Sequence, residues 1–398
     1  MGGEPSIDMK VAKYIQFSPA LPRHTEMETK VSTKRKKIII AGASGLAGSA
    51  AMAHFANRSE WDVVAISRRP PLISVGNAVH LPIDLSDKNE TAQALSPIRD
   101  VTHIAYAALN ERSDDLIAGW SDPRQSAKNE AMLVNLVDPI IQNSDALEHI
   151  ALVHGGKAYG VHIPDHKLKM PLREDSGRHP GENFYYRQHD YLIDKQKGAR
   201  WSWTIFRTGA IWGTTVRANM NTLLALAILG VLRREAGLAM PVPAGQSGYV
   251  EPTDADLVAE AIEWAGHAPA ARNEIFNITN GDVLAMHDLF EIVAAALDME
   301  VSTPTTFNIK DEIRSLAPLW PAMTAKYNLK SPPDLYELLG SSLDVAQVLS
   351  EDFPPERFLR WGLLSTIKIR QAGFHACRSS PDSLRHYIKT YQDLGVIP

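Results

Sequence analysis

The feature that most constrains this 398-residue chain is an apolar, β-branched run that breaks into regularly spaced glycines and then into a helical stretch. Residues 38–40 are all isoleucine, which is typical of a strand buried on both faces of a parallel sheet. Glycine lets the following turn adopt a positive φ and approach a phosphate closely. The first turn of the helix would direct its free N–H groups at that phosphate. The stretch therefore predicts a dinucleotide site made by Gly42, Ser44, Gly45, Leu46, Ala47 and Gly48. A glycine-rich turn without a ligand is the alternative.

Composition and charge exclude several other classes of protein. A net charge of −5 with 22% charged residues is ordinary for a globular protein and gives no reason to expect a nucleic-acid partner. The single cysteine, Cys377, excludes an internal disulfide and fits a reducing compartment. The longest apolar run, Leu223 to Leu232, is too short to cross a bilayer, and residues 1–30 lack the apolar core of a signal peptide. We therefore expect a cytoplasmic protein without a membrane partner.

Strands and helices alternate along most of the chain. Further strands are predicted at residues 61–66, 79–83, 101–108, 149–153, 201–206 and 273–278, with helices such as 129–143 between them. This alternation predicts an α/β fold with a doubly wound parallel sheet. We expect a mobile tail at 1–35, a Rossmann domain at 36–215 to which 248–280 returns, and a smaller, mostly helical substrate-side region at 216–247 and 281–398.

The residues that follow the predicted strands indicate which cofactor is bound. Ser67, Arg68 and Arg69 follow the second strand, where a carboxylate would favour NAD and a basic residue suits the 2′-phosphate of NADP. This favours NADPH over NADH, a surface arginine pair being the alternative. Asp84, with Leu85, ends the third strand, where its carboxylate can accept a hydrogen bond from the adenine amino group. Ala108 ends the fourth strand, where a small side chain lets the cofactor lie close.

Two arrangements of tyrosine and lysine compete for the chemistry. Tyr191 and Lys195 match the Tyr-x-x-x-Lys pattern of ordinary short-chain dehydrogenases, in which a nearby ammonium lowers the tyrosine pKa. The strand-end segment that carries a serine in extended members reads His154-Gly155-Gly156-Lys157 here, without a hydroxyl. The alternative interpretation is that Tyr191 and Lys195 are simply two positions on one helix.

A second set of motifs resembles the progesterone 5β-reductase/iridoid synthase-like (PRISE) family of atypical extended short-chain dehydrogenases. Residues 155–160, Gly-Gly-Lys-Ala-Tyr-Gly, resemble that family's T-G-x-K-H-Y-x-G-P stretch. Residues 183–186, Asn-Phe-Tyr-Tyr, match its N-F-Y-Y-x-x-E-D motif, whose last residue is retained as Asp190. Shorter matches at residues 67–69, 95–103, 202–207, 253–257, 273–283 and 396–398 extend the resemblance from about residue 36 to the end of the chain.

The resemblance implies an activity and a catalytic pair. Lys157 and Tyr185 occupy the family's catalytic positions, and the activity implied is NADPH-dependent reduction of the C=C bond of an α,β-unsaturated carbonyl. Ile211, in the stretch resembling R-P-G-N-I-F-G, would contact the nicotinamide carboxamide through its backbone. Ala158, Ala108 and Leu109 replace larger or more polar family residues, which predicts a roomier, more apolar pocket and a bulky carbonyl substrate.

Other functions stay open at this point. The same fold with NADP(H) bound could catalyse a non-redox cyclisation or condensation, or reduce a carbonyl or imine. A non-catalytic NADP-sensing regulator is a further alternative, against which the retention of Lys157 and Tyr185 speaks. His154 and His189 are expected to be structural, and no spacing typical of metal ligands is found. The sequence does not identify the substrate or the oligomeric state, so a homodimer stays open.

Overall fold

The computed structural model describes residues 35–112, 116–163, 166–245, 248–351 and 362–398. The predicted tail therefore lies outside the described residues, except for Arg35. The described strands are β1 Lys36–Ala41, β2 Trp61–Ile66, β3 Val79–Leu81, β4 His103–Tyr106, β5 His149–Gly155, β6 Ser202–Thr208, β7 Ala210–Trp212, β8 Tyr249–Val250, β9 Pro252–Asp254, β10 Glu274–Ile278 and β11 Leu284–Ala285.

Helices separate most of these strands. They are α1 Leu46–Ala56, α2 Lys88–Leu95, α3 Leu116–Gly119, α4 Pro123–Asn143, α5 Phe184–Gln196, α6 Thr222–Glu235, α7 Ala255–Ala265, α8 Asp288–Ala296, α9 Ile309–Leu316, α10 Trp320–Lys326, α11 Leu335–Leu339, α12 Ser342–Ala346, α13 Ile367–Gln371 and α14 Ser380–Asp393. Among the described residues, no helix combines the length and the apolar character needed to cross a membrane.

The main sheet has seven parallel strands in the order β10-β6-β5-β4-β1-β2-β3. The order reverses at β1, where the chain starts in the centre and winds outward in both directions. The predicted doubly wound α/β fold is thus confirmed. The predicted third and fourth strands are longer than those found, because β3 ends at Leu81 and β4 covers only His103–Tyr106.

Side chains of β1 alternate between the two faces of the sheet. Ile38 and Ile40 pack in the core that α1 and α7 share, whereas Ile39 and Ala41 pack in the core on the opposite face, which contains the apolar side of α4. All four are at most 1% exposed, as expected for a central strand covered by helices on both faces. The run of isoleucines therefore fills two cores at once.

A third core lies between the helices of the C-terminal half. It is formed mainly by the buried residues of α6, α8, α9 and α14, together with the shorter helices between them. Ile369 and Phe374, from the last part of the chain, instead pack in the core shared by α1 and α7. Residues 35–398 form one compact unit. Its division into a Rossmann part and a substrate-side part remains a prediction, and part of the predicted substrate-side region returns to the sheet.

Candidate active site

A cavity of about 490 Å³ lies where the parallel strands end at their carboxyl termini. Its wall includes the glycine turn after β1, Ser67 after β2, Ala107 after β4 and Gly209 after β6. Residues of α6, α8 and the short helices at 342–350 close the other side. In doubly wound sheets ligands bind at this edge, so the cavity is the candidate active site.

The glycine turn brings backbone very close to backbone. Gly42 has φ +84°, and a Cβ there would lie 2.7 Å from the backbone of Ala107. A Cβ on Gly48 would lie 2.1 Å from the carbonyl oxygen of Gly42, so Gly48 allows α1 to pack against the turn. Gly45 is the N-cap of α1 and offers no side-chain cap, which leaves the first N–H groups free for a phosphate.

The predicted members of this turn do not all face the cavity. Gly42, Ser44, Gly45, Leu46 and Ala47 line it, whereas Gly48 is not among the lining residues. The close approach of Gly48 to the carbonyl of Gly42 explains the glycine by packing rather than by ligand contact.

Three guanidinium groups gather near the end of β2. Arg68 and Arg69 are exposed and line the cavity, and Arg217, which comes before α6 in the chain, lines it beside them. Arg69 donates from Nη2 to the carbonyl oxygen of Arg217 at 2.8 Å. Burial, and then the cations of Arg217 and Arg68, lower the pKa of Arg69. Arg217 is also ion-paired with the Glu337 carboxylate, which offsets part of its charge. The remaining positive charge favours an anionic ligand. Arg217 could not be found from the sequence because it lies some 150 residues further on.

Asp84 and Leu85 lie at the same end of the cavity. The Oδ1 atom of Asp84 accepts hydrogen bonds from the backbone nitrogen and the hydroxyl of Ser86, at 2.9 and 2.8 Å. Partial burial raises the pKa of Asp84, but the two Ser86 hydrogen bonds together with the cations of Arg68 and Lys128 make the net shift downward. The Leu85 carbonyl accepts from Asn135 Nδ2 at 2.9 Å, which fixes this segment to α4.

Ala108 and Ile211 line the middle of the cavity wall. Ile211 belongs to β7, which pairs in parallel with β9 at Thr253. The Thr253 hydroxyl accepts from the Gly209 nitrogen and donates to the Ile278 carbonyl, each at 2.9 Å. It therefore joins the residue between β6 and β7 to β9 and β10.

Lys157 and Tyr185 come together on this wall because one asparagine holds both segments. Lys157 lies in a 3-10 turn, Gly156–Tyr159, directly after β5, and Tyr185 lies in the first turn of α5. The Asn183 side chain caps α5 by accepting from the Tyr185 nitrogen at 3.0 Å, and its Nδ2 donates to the Lys157 carbonyl at 2.8 Å. The ammonium of Lys157 lies 6.0 Å from the centre of the Tyr185 ring.

The surroundings of Lys157 include two residues that the sequence analysis did not single out. Its Nζ lies 3.4 Å from Glu111 Oε1 and 4.4 Å from the centre of the Trp120 ring. The Glu111 side chain is fully buried, and its Oε1 also accepts from Trp120 Nε1 at 3.0 Å. Burial lowers the pKa of Lys157, and the Glu111 carboxylate offsets part of that effect.

Tyr185 is a protonated phenol at neutral pH. Burial raises the pKa of Tyr185, Glu111 raises it further, and a backbone hydrogen bond from Gly155 opposes both. The phenol lies against the end of β5, since a Cβ on Gly155 would be in ordinary contact with Tyr185 Oη at 3.5 Å. The His154 ring stacks on the Tyr185 ring with 4.1 Å between centroids, and its Nε2 is 3.1 Å from Gln188 Oε1. Burial, and then Arg207, hold the pKa of His154 well below its usual range, so the stacked ring is neutral.

The literal Tyr-x-x-x-Lys pair lies elsewhere. Tyr191 and Lys195 both contact Asp138 of α4, each at 2.8 Å from Oδ1, and neither lines the cavity. His189, on the same helix, packs its ring edge-on against Trp203 and does not line the cavity either. Burial, and then Arg178, lower the pKa of His189 to about 4.

The expectation that three small residues widen the pocket needs a correction. Ala108 and Leu109 line the cavity, but Ala158 does not. Ala158 is fully buried and packs with Phe184 and Tyr185 behind the wall, so its size acts on the support of Tyr185 rather than on the cavity. Among the described residues there is no group of three or more His, Cys, Asp or Glu side chains arranged to hold a metal ion.

Known proteins resemble this chain over nearly its whole length. Residues 83–248 match the sequence profile of the PRISE-like Rossmann-fold domain. An (S)-8-oxocitronellyl enol synthase from Nepeta racemosa is 30% identical over 378 residues, which cover 90% of this chain and 92% of that protein. A short chain dehydrogenase from Penicillium aethiopicum is 27% identical over 393 residues, which cover 91% of this chain and 99% of that protein.

The similarity to solved structures is one of fold. The UDP-glucose 4-epimerase of Thermotoga maritima superposes with a TM-score of 0.61 at 15% identity, covering 90% of this chain and 99% of that one. A dTDP-glucose 4,6-dehydratase from Streptomyces venezuelae gives a TM-score of 0.55 at 15% identity, covering 90% and 97%. The fold, the cavity at the strand ends and the sequence similarity agree. The chain belongs to the PRISE-like family of extended short-chain dehydrogenases/reductases and is an oxidoreductase whose Rossmann fold takes a nicotinamide cofactor.

Proposed function

We propose that this protein is an NADPH-dependent reductase of the C=C bond of bulky α,β-unsaturated carbonyl compounds. The observation that carries the proposal is the pairing of Lys157 and Tyr185 at the cavity wall through Asn183. A regulator that only sensed the cofactor would need neither side chain there.

The residues present fit a phosphorylated dinucleotide. The turn at Gly42 has no room for a Cβ, and the N-terminus of α1 offers free N–H groups to a pyrophosphate. Arg68, Arg69 and Arg217 supply the charge that a 2′-phosphate needs, which favours NADPH over NADH. When bound, NADPH supplies the hydride.

Tyr185 would serve as the donor to the developing enolate oxygen. Hydride addition to the β-carbon of an enone moves negative charge onto the carbonyl oxygen. A buried, protonated phenol bonds that oxygen more strongly in the transition state than in the ground state, which is the requirement for catalysis. Glu111 and Trp120 hold the Lys157 ammonium in place, and the Glu111 carboxylate offsets part of the positive potential that the ammonium adds near the enolate oxygen.

The cavity has a largely apolar lining, which supports a bulky, mainly apolar substrate. Its apolar lining residues include Trp120, Val161, Phe184, Met286, Leu289, Val345, Val348 and Leu349. The name of the Nepeta relative designates formation of an enol. An enol is what hydride addition to the β-carbon of an enal gives when the proton goes to oxygen. That name therefore fits the hydride step proposed here, which gives the same enolate whether the proton then goes to oxygen or to carbon.

The first experiment is a panel of small and bulky enones and enals, with NADPH absorbance and product mass followed together. The proposal predicts cofactor consumption with a gain of two hydrogen atoms, and faster turnover of the bulky members. Conversion of a substrate at unchanged NADPH level, in a reaction that still requires bound cofactor, would contradict the proposal and favour a non-redox cyclisation.

The second experiment compares Tyr185→Phe with Tyr191→Phe. The first variant loses one hydroxyl in the cavity, so turnover should fall by about a hundredfold, the scale of losing one oxyanion donor. The second variant loses a hydroxyl that contacts Asp138 outside the cavity and serves as the matched control. If Tyr191→Phe is the crippling change and Tyr185→Phe is mild, the assignment is wrong.

A further inference from the structure

Glu251 is a cavity-lining carboxyl group to which the proposed reaction has not yet given a role. It is the single residue between β8 and β9, and it lines the cavity. Its Oε2 accepts a hydrogen bond from the Leu364 nitrogen at 2.5 Å, and Leu364 is itself a lining residue. The other oxygen, Oε1, has no hydrogen bond among the residues that the structure describes.

Two glycines bring Glu251 and Tyr185 to neighbouring strand ends. Gly155 ends β5 and is the register partner of Thr208 at the end of β6. A Cβ on Gly155 would lie 3.5 Å from Tyr185 Oη, and a Cβ on Gly209 would lie 2.1 Å from the Glu251 carbonyl oxygen. Tyr185 therefore approaches from the end of β5, and Glu251 from the residue after the adjacent strand.

Among the residues that the structure describes, three that line the cavity carry carboxyl groups, and two of these are committed to other partners. Asp84 accepts two hydrogen bonds from Ser86, and Glu111 is paired with the Lys157 ammonium. Burial raises the pKa of Glu251 to about 7, with the Leu364 hydrogen bond acting in the opposite sense. A group of this kind both releases and takes up a proton near neutral pH.

We propose that Glu251 is a second acid–base group of the reaction and delivers a proton to the α-carbon of the enolate. This inference rests on the proposed function, because that reaction creates the enolate. After the hydride has formed the new C–H bond at the β-carbon, the enolate C=C electron pair takes the Glu251 proton and forms the second C–H bond. The carbonyl is restored, Glu251 is left as a carboxylate, and solvent returns its proton. The net change is enone, NADPH and one proton to saturated carbonyl and oxidised cofactor.

The proposal assigns the form in which the product leaves. With Glu251 acting, the enolate is protonated on carbon inside the cavity, and a saturated carbonyl with one α-configuration is released. Without it, the proton goes to oxygen and an enol is released, which becomes the carbonyl in solution with no facial preference.

The reverse of the proton step can be measured without hydride transfer. A saturated carbonyl compound is incubated in deuterated water with the protein and oxidised cofactor, and deuterium uptake at its α-carbon is followed by NMR. The wild type should exceed the buffer rate, and Glu251→Gln, which keeps an acceptor for the Leu364 nitrogen, should lose at least about tenfold of that acceleration. Glu300→Gln, at an exposed carboxylate outside the cavity, should match the wild type.

A wild-type rate equal to that of buffer, or Glu251→Gln within twofold of the wild type, would overturn the proposal. Reduction of an enone by the wild type in deuterated water gives a second readout that needs no variant. A single α-deuterated stereoisomer supports the proposal, and a racemic α-carbon refutes it even if Glu251→Gln were unstable. Failure of the proposed reductase function is a different result, namely no NADPH consumption with any enone, and the exchange measurement does not depend on it.

Discussion

Replacing Glu251 by glutamine should make the protein more stable at alkaline pH and leave its stability almost unchanged at acidic pH. Burial raises the pKa of this carboxyl from 4.5 to about 7 in the folded protein. Between these values the native state holds a proton that the unfolded chain has lost, so the contribution of Glu251 to stability falls as the pH rises through 7. For a fully buried group, a pKa shift of this size corresponds to about 3 kcal/mol of unfolding free energy. Because Glu251 is partly exposed, solvent screening reduces the effect, and we expect about 1–2 kcal/mol.

Urea denaturation followed by tryptophan fluorescence would measure this difference, with matched ionic strength at about pH 4 and about pH 8.5. Glu251→Gln and the wild type should unfold within about 0.5 kcal/mol of one another at the lower pH, since both side chains are then neutral. At the higher pH the variant should be the more stable, whereas Glu300→Gln should show no such pH dependence. A difference between Glu251→Gln and the wild type that is the same at both pH values would refute the reasoning, because it would mean that the buried carboxyl is ionised throughout.

Three further predictions concern other parts of the site. The double variant Arg68→Ala/Arg69→Ala should weaken NADPH binding by about tenfold or more, because charge-assisted hydrogen bonds to the 2′-phosphate are lost, and should weaken NADH binding much less. Equal losses of affinity in a titration of both cofactors would mean that these arginines do not bind the 2′-phosphate. Asn183→Ala should lower the free energy of unfolding by about 1 kcal/mol through the lost cap and also reduce turnover. Asn183→Ser keeps a capping oxygen and loses the amide nitrogen that contacts the Lys157 carbonyl and the His179 ring; turnover restored by serine would mean that the amide nitrogen is unimportant. Gly48→Ala places a Cβ 2.1 Å from the Gly42 carbonyl oxygen, so it should lower the free energy of unfolding by about 1–3 kcal/mol and weaken cofactor binding. If denaturation and cofactor titration both give wild-type values, α1 can move to accommodate the methyl group.

Local patterns in the sequence predicted the central part of the fold closely. The second strand runs from Trp61 to Ile66 as predicted, because β-branched and apolar residues are bounded there by a turn on each side. The isoleucine run and the glycines after it also define a strand, a turn and a helix within one short stretch. The weaker predictions were the ends of β3 and β4, where the apolar character continues after the pairing has stopped.

The site was less accessible to sequence reasoning, because its members come from distant parts of the chain. Arg217 and Glu251 line the cavity through contacts made only in the folded protein, with Arg69 and with Leu364 respectively. No local pattern marks either residue. The Tyr191 and Lys195 match illustrates the opposite problem, since residues four apart share one side of a helix whichever neighbour that side faces. Here the neighbour is Asp138 of α4.

The Asn183 bridge has a consequence for how the specificity of this enzyme can change. Because one side chain fixes both the Lys157 backbone and the start of α5, the spacing of the two reacting groups is set independently of the apolar side chains opposite. Substitutions at Leu289 or Leu349 can therefore reshape the space for a substrate while the reacting pair keeps its geometry. Substrate specificity can therefore change without loss of the reaction. Directed evolution toward new carbonyl compounds should begin at the wall opposite the reacting pair and leave residues 155–160 and 183–186 unchanged.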